Sequence, residues 1–486
     1  MAKNIASGVR ETWQQGYMLV TVLVFSAIFF AIIGSFFGYI ITQSQLINQK
    51  VEILKSQDIA EAGLNYYKWF LAHYPNDTTD GTGTAGPYEH IYYDAEGGAI
   101  GEFSLNIASS TYCGDVSSID VTSTGFTYAD PGITRTVTAR YSRPTVAEYS
   151  FIINANVWAG DDRTIIGPYH SNGGIRMDGT NNSVVTSGQS IWTCTSSFGC
   201  SPNRTEDGVF TSTANANPAL FSFPSAPINF TGLSVDLSQM LDRAQNAGGT
   251  YIGPSGSYGY QVIFNSNNTI TVRRVTGTTQ YWGYSVENGW QQERHVISAS
   301  SLVGTYNISN SCPLIFVQDK VWLEGTVNQK VTLAAADVAS SAINPSIILN
   351  NNISYTSATS SGLLAIAEQD VLVGLSVPTN LTLNGIFVAQ NGRLGRNHYC
   401  ASCSDGGSGR GLPAALDPYV FRNSLTMNGT TVSNGRVGTQ WTSGATTISG
   451  FYDRYNSYDR NLVTSPPPLI PKTSDVFEMS EWRSVN

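Results

Sequence analysis

Charge is scarce in this chain, and positive charge scarcest. Asp, Glu, Lys and Arg together form 13% of the sequence, with 26 basic against 35 acidic residues and a formal charge of −9. No basic run occurs anywhere. Phosphates would find nothing to neutralise them, which argues against a nucleic-acid partner. Histidine is rarer still: His73, His90, His170, His295 and His398 are scattered and have no signature partner sequence. The helix formers Lys, Glu and Arg are sparse, whereas Gly, Ser, Thr and Asn are plentiful and Thr, Val, Ile and Tyr favour strands. The composition is that of a mostly β protein with many turns. At 486 residues the chain can hold two or three domains with sizeable cores.

One long segment lacks both charge and proline. From Tyr17 to Ile41 the chain is a predominantly apolar run, roughly 25 residues and enough to cross about 30 Å of hydrocarbon as a helix. A secretory apolar region is about 7 to 15 residues and ends in a small-residue cleavage site, so this run is too long for one. Lys3, Arg10 and the amino terminus precede it, a modest positive charge that favours a cytoplasmic N-terminus and an exported bulk. Proline stays absent from Thr42 to Leu71, where Leu46, Ile47, Val51, Leu54, Ile59, Ala60, Leu64, Tyr67 and Leu71 recur at spacings of three and four. The pattern predicts one continuous helix, apolar all round in its first half and amphipathic in its second, ended by Pro75 and a polar loop. A membrane anchor followed by an unrelated stalk helix fits the same composition.

Gly16-Tyr17-Met18-Leu19-Val20, the extended apolar helix and Asp58-Ile59-Ala60-Glu61-Ala62-Gly63-Leu64 resemble the N-terminal region of PilX-like minor pilins of type IV pili. The resemblance covers roughly the first 75 residues. It implies a leader over residues 1–16, cut between Gly16 and Tyr17 by a prepilin peptidase. It also implies assembly with other pilin subunits on a membrane platform. The family carries a glutamate where this chain has Thr21, a carboxylate that pairs in lipid with a neighbour's terminal amine. A buried pair needs both partners, and an unpaired carboxylate in lipid is costly. A subunit with nothing ahead of it has no such amine to meet, so Thr21 fits a filament tip. A chain that is never cleaved or assembled is the alternative.

Beyond the helix, within a region of residues 76–147, the stretch from about Tyr88 to Ser142 alternates with period two around Phe103-Ser-Leu105-Asn-Ile107, Ile119-Asp-Val121 and Thr134 to Tyr141, predicting antiparallel strands. This matches the small pilin-like β region the resemblance implies. Residues 148–486 carry four copies of one unit: Ile175-Arg-Met177-Asp-Gly179, Val321-Trp-Leu323-Glu-Gly325, Leu381-Thr-Leu383-Asn-Gly385 and Leu425-Thr-Met427-Asn-Gly429. Two apolar residues would face one way and the polar residue with glycine would turn a corner. Stacked coils of a right-handed β-helix suit this unit, with the last two copies two coils of about 22 residues apart. Short sandwich domains would produce similar strands. Tyr169 to Ile175, Leu364 to Val371 and Gly385 to Gly392 resemble, more loosely, β-helical regions found behind pilin-like N-termini. Residues 190–301 are expected to form an inserted surface subdomain. It would hold a helix over Val235 to Ala247 and paired strands Tyr260–Phe264 and Thr269–Val275.

The six cysteines all lie outside the apolar run. An even number in an oxidising compartment suggests disulfides, although six allow 15 connectivities. Cys194 with Cys200, and Cys400 with Cys403, can close small loops, leaving Cys113 and Cys312 as a long-range pair or as buried thiols. Cys400-Ala-Ser-Cys403 lacks the second pair or histidines that zinc requires, with only His398 near. Catalytic signatures are missing as well. Gly253 to Ser257 is a broken Gly-x-Ser-x-Gly, and the glycine loop Asp405 to Gly411 has no P-loop lysine. Asp161-Asp162 and Glu206-Asp207 are the acids that could hold calcium or act on a glycan.

The expectation is therefore a mainly β protein with one long N-terminal helix, carrying a pilin-like α+β region and a β-helix. It has no catalytic or metal residues and no cofactor. It would move from the inner membrane to a filament or cell surface, act in filament initiation and adhesion, and touch an unidentified surface ligand or glycan. A membrane-anchored carbohydrate-active β-helix enzyme is the alternative.

Overall fold

The computed structural model describes residues 12–75, 77–230, 236–338, 345–401, 409–444 and 446–485. The fold is mainly β with one long N-terminal helix. The chain divides into two compact units. One comprises Met1–Ile107, Val121–Ala139 and Trp482–Asn486, the other Ala108–Asp120 and Arg140–Glu481.

In the first unit, helix α1 (Thr12–His73) runs without a break for 62 residues, about 93 Å at 1.5 Å per residue. Its apolar half is bare: Leu19, Phe25, Phe30 and Phe36 are all more than 60% exposed. By length and composition it can cross a membrane. The second half buries Ile59, Ala60, Leu64, Tyr67 and Leu71. These face an antiparallel sheet that contains β1 (Tyr88–Tyr93), β2 (Ala99–Tyr112), β3 (Asp115–Thr127) and β4 (Thr134–Ser142). The helix backbone comes so close to β3 that a Cβ on Gly125 would lie 2.6 Å from the carbonyl oxygen of Ser56. One on Gly63 would lie 2.8 Å from the Phe103 ring. Ser56 donates its hydroxyl to the carbonyl of Ile133 at 2.9 Å, fixing the same contact. A fifth strand, Glu478–Val485, joins the sheet beside β4; no periodicity argument had singled it out.

The second unit is a stack of parallel coils. Its first ladder runs Thr250–Ile252, Leu314–Val317, Lys330–Ala335, Gly362–Ala367, then the second halves of Asn380–Ala389 and Phe421–Ser433. It continues through Phe151–Ile153, Tyr169–Ser171, Val185–Ser187 and Phe221–Ser222. A second ladder holds Tyr260–Asn265, Val321–Val327, Ile347–Tyr355, Val371–Val373 and Leu394–Gly395. A third holds the first halves of Asn380–Ala389 and Phe421–Ser433, then Thr446–Ser457, Arg163–Ile166 and Thr180–Asn181. Apolar residues from these three ladders, and from a short parallel sheet of Val157–Ala159, Ile175–Met177 and Val209–Phe210, meet in one core that includes Ile175, Met177, Val321, Leu323, Leu381, Leu383, Leu425 and Met427.

Those eight residues are the apolar pairs of the four-copy unit, and all are buried as strand alternation requires. The last two copies stack directly, Leu381 on Leu425 through Gly385 on Gly429. Both glycines have left-handed φ, 149° and 138°, and they form the corner where one ladder passes into another. The 44-residue spacing is thus one coil and not two of about 22, because the ladder strands Leu394–Gly395 and Phe421–Ser433 are consecutive in the stack although 25 residues separate them.

The inserted subdomain at 190–301 also needs correction. Val209–Phe210, Phe221–Ser222, Thr250–Ile252 and Tyr260–Asn265 are strands of the stack. They are mostly two or three residues long and too short to show a period. The excursions are a hairpin, Ile191–Cys194 with Arg204–Asp207, and a long antiparallel ribbon, Thr269–Ser285 with Gly289–Asn307. A helix occupies Leu237–Asn246, capped by Asp236, within the segment Val235 to Ala247 expected for it.

Coil order departs from chain order. The first coils, from Phe151 onward, dock on the last ones: Thr431 pairs with Phe151 and Arg454 with Arg163. The chain then proceeds to one end of the stack at Phe221–Ser222 and resumes at the other end at Thr250–Ile252. At the junction an asparagine stack crosses from coil to coil. Asn434 Oδ1 accepts from Asn154 Nδ2 at 2.9 Å, and Asn154 Oδ1 accepts from Asn172 Nδ2 at 2.8 Å.

Two of the three outer faces are covered. Ile152, Phe316, Ile366 and Val388 of the first ladder lie under Val146, Met240, Leu462 and Ile470. Trp322, Ile348 and Leu372 of the second lie under Val275 and Ile297 of the ribbon. The third ladder shows its outer face to solvent, with Thr382, Asn423, Tyr452 and Tyr455 exposed.

Candidate functional site

Two places carry chemistry that the fold alone does not require. The first is the start of α1. Residues 1–11 of the expected leader lie outside the described residues; Gly16 and Tyr17 lie within the helix, with Tyr17 78% exposed. Thr21 donates its hydroxyl to the carbonyl of Tyr17 at 2.8 Å. Ser35 and Thr42 do the same to Ala31 and Gly38. In hydrocarbon, where no water can satisfy a hydroxyl, this back-bonding lets threonine sit in a span without a partner chain. A glutamate there would need a donor from outside the helix.

The second is a polar cleft of about 270 Å³ between the ribbon and the stack, lined by Gln291, Glu293, His295, Lys320, Asp370 and Arg393 among others. Ribbon strand alternation turns Glu293 inward, where it is 7% exposed. It accepts from the Tyr399 hydroxyl at 2.9 Å and from the Asn397 amide, and His295 Nδ1 lies 3.2 Å away. Burial pushes the Glu293 carboxyl up, but these donors outweigh it and hold it below the ordinary range. Burial lowers Lys320, with Asp319 and Glu293 opposing. Asp370 Oδ1 accepts from the Arg393 backbone at 2.8 Å, and the Arg393 guanidinium pairs with Glu287 at 3.0 Å. Beneath them Arg396 is fully buried, donating to the carbonyls of Gly374 at 2.7 Å and Tyr419 at 2.6 Å. Burial brings its pKa down to about 10.

These groups hold the ribbon to the coils. Each carboxylate is occupied by structural donors, and Glu293 is kept ionised, the opposite of what a general acid needs. The cleft is lined by polar and charged groups, and Glu293 beside His295 has the protonation state of a base and not of an acid. Sequence reasoning missed it because its residues come from distant segments with no shared motif.

The acids singled out in the sequence lie elsewhere. Asp162 pairs with Arg454 and Glu206 with Arg204; Asp161 is exposed. The histidines are also apart: His90 meets Asp80 at 2.7 Å, His170 meets Thr186 and Asn172, and His398 packs between Trp290 and Trp441. Among the described residues no three His, Cys, Asp or Glu cluster as metal ligands. Cys194 is bonded to Cys200, and Cys113 to Cys312 across 199 residues. Cys400 is disulfide-bonded; Cys403 and most of the loop Asp405 to Gly411 lie outside the described residues.

No family model matches this chain, and no curated protein matches it. Among solved structures it is similar to the competence-associated pilin ComZ from Thermus thermophilus. Identity is 13% and the TM-score 0.26, over 89% of this chain and 97% of that one. A superposition at that level leaves the fold to be read from this chain's own ladders.

Proposed function

We propose that this chain is a pilin-like minor subunit of a type IV pilus or related filament, located at the tip and acting in initiation and adhesion. The observation that carries the reading is α1: one unbroken helix, bare and apolar for its first half and seated through Gly63 and Gly125 on a sheet for its second. In this reading residues 1–16 are a leader removed by a prepilin peptidase, and residues 17–41 lie in the inner membrane before assembly with the N-terminus cytoplasmic. Residues 76–147, completed by Glu478–Val485, form the small β region. The coils of 148–486 form a right-handed β-helix that reaches outward to a surface ligand. Other pilin subunits and the assembly platform are the partners, and Cys400 pairs with Cys403. The tip position is supported by Thr21, whose hydroxyl is satisfied by its own helix, and by a bulk of coils that would obstruct packing along a shaft.

Mass spectrometry of the protein from cells with an active prepilin peptidase tests the first step. Tyr17 as the mature first residue is expected, and Gly16→Leu should abolish processing. An intact Met1 terminus would refute the reading.

A further inference from the structure

The third ladder differs from the other two in what lies on its outside. Where those are apolar and covered, this one presents rows of hydroxyls and amides in register. Thr382 pairs with Thr426, Thr426 with Tyr455, Tyr455 with Thr164, and Thr164 with Thr180. Beside that row, Asn384 pairs with Asn428 and Asn428 with Ser457. The rows are tied across coils: Ser457 donates to Asn428 at 3.0 Å, and Ser424 donates to Asn380 at 2.9 Å. Tyr455 and Tyr452 are each 47% exposed, and Tyr452 stacks on the exposed Phe421 with ring planes 7° apart. These rings stand exposed on a face otherwise made of hydroxyls and amides.

We infer that this face binds a neutral, extended polysaccharide laid along the ladder, across the strands. Three features select that occupant. The paired rows carry no cation, and Asp453 is the acid among the strand residues there. A polyanion, an anionic lipid surface and an acidic glycan would therefore find no counter-charge. The rows offer hydroxyl and amide donors and acceptors suited to sugar hydroxyls. Coils repeat about every 4.8 Å, close to the advance of one pyranose along an extended β-linked chain, so successive sugars can meet equivalent positions. Tyr455 and the Phe421–Tyr452 pair supply the flat apolar surfaces that sugar ring faces stack on.

This deepens the adhesive reading proposed above and rests on it for biological setting, but the binding itself does not depend on filament assembly. The test uses the full chain in detergent micelles. Sedimentation and affinity electrophoresis would be run against cellulose, chitin, mannan and dextran as neutral probes, with alginate as the acidic one. Binding to at least one neutral polymer is expected, insensitive to salt. It should weaken about tenfold in Tyr455→Ala and again in Tyr452→Ala. Because both rings are exposed, circular dichroism of the variants should match the wild type. Thr426→Glu, which places a charge mid-row, should weaken neutral binding without creating alginate binding. Failure of all four neutral polymers to bind overturns the inference, as does preference for alginate or full binding by Tyr455→Ala. Detection of the protein in sheared filaments is scored separately. A chain that binds cellulose yet never enters filaments would defeat the proposed function and leave this face standing.

Discussion

Replacing Asp162 by alanine should open the stack at one defined place. Asp162 precedes the strand Arg163–Ile166, which lies in parallel on Thr446–Ser457. It accepts from Arg454 Nε at 2.6 Å and also from Nη2, a two-pronged pair whose side chains are 17% and 6% exposed. Arg163 lies alongside, its pKa brought down to about 10 by burial and then by Arg454, with its guanidinium 5.4 Å from the Phe151 ring. Removing the carboxylate leaves two guanidiniums facing each other in a closed site. Loss of one partner of a buried pair costs about 3–5 kcal/mol. Because the chain has two units, a single unfolding free energy is ill-defined, and hydrogen exchange is the suitable measurement. A 3 kcal/mol loss corresponds to about a hundredfold faster exchange through local opening. That acceleration is expected at residues 151–153, 163–166 and 454–457, with residues 363–367 unchanged. Asp162→Leu combined with Arg454→Met should recover most of the protection, since the unpaired charge is then gone. Acceleration below tenfold, or spread evenly over all coils, would show that the pair does not hold the junction.

Gly125→Ala should destabilise the helix–sheet contact by about 1–3 kcal/mol, because the new methyl meets backbone atoms of Ser56 and Ala60 that cannot rotate away; a thermal midpoint within a degree of wild type would contradict it. Cys113→Ala removes a link across 199 residues and, on the chain-entropy account, about 5 kcal/mol; urea titration should place the variant below oxidised wild type, with reductant bringing the two to the same midpoint. Lys330 is brought down to about 8, by burial, with Asp459 opposing. The folded state thus holds this proton less tightly than the unfolded state, and stability should rise between pH 8 and the ordinary lysine range. Lys330→Met should remove that rise and stabilise the protein at pH 7 by about 1 kcal/mol after solvent screening; a pH profile of the midpoint identical to wild type would count against it. Non-reducing peptide mapping should find Cys400 joined to Cys403, and a free Cys403 thiol would rule that out.

Much of this architecture has local causes and so could be read from the sequence. Helix α1 follows from an absence of proline and a periodic apolar face, and the apolar pairs of the four repeats sit in the core as alternation demands. The corner glycines were legible for the same reason. What was not legible involves pairing between distant segments. Thr431 on Phe151 leaves no local mark, and neither does Glu478–Val485 beside β4. Coil length also escaped, since an excursion such as the ribbon Thr269–Ser285 with Gly289–Asn307 changes the spacing without changing the stack. The cleft was hidden because Glu293, Lys320, Asp370 and Asn397 gain meaning only when ribbon and coils are side by side. Spacing alone allows Cys113 and Cys312 to be a long-range pair or two buried thiols, and geometry joins them.

The docking of the first coils on the last has a consequence for the order in which the molecule can be made. A ribosome delivers residues 151–187 early, and in a stack that followed chain order they would have a neighbour at once. Here their partner strands end near residue 457, so they must wait for almost 300 residues of synthesis with one side open. A coil with an unpaired edge invites pairing with the wrong strand, and contacts this distant in sequence form slowly. The charged pair in the junction suits that delay: an interface closed by Arg454 and Asp162 is less adhesive to stray apolar segments than a bare aliphatic end would be. A released chain truncated before residue 450 should therefore leave residues 151–187 open to protease, and one that extends past 457 should protect them.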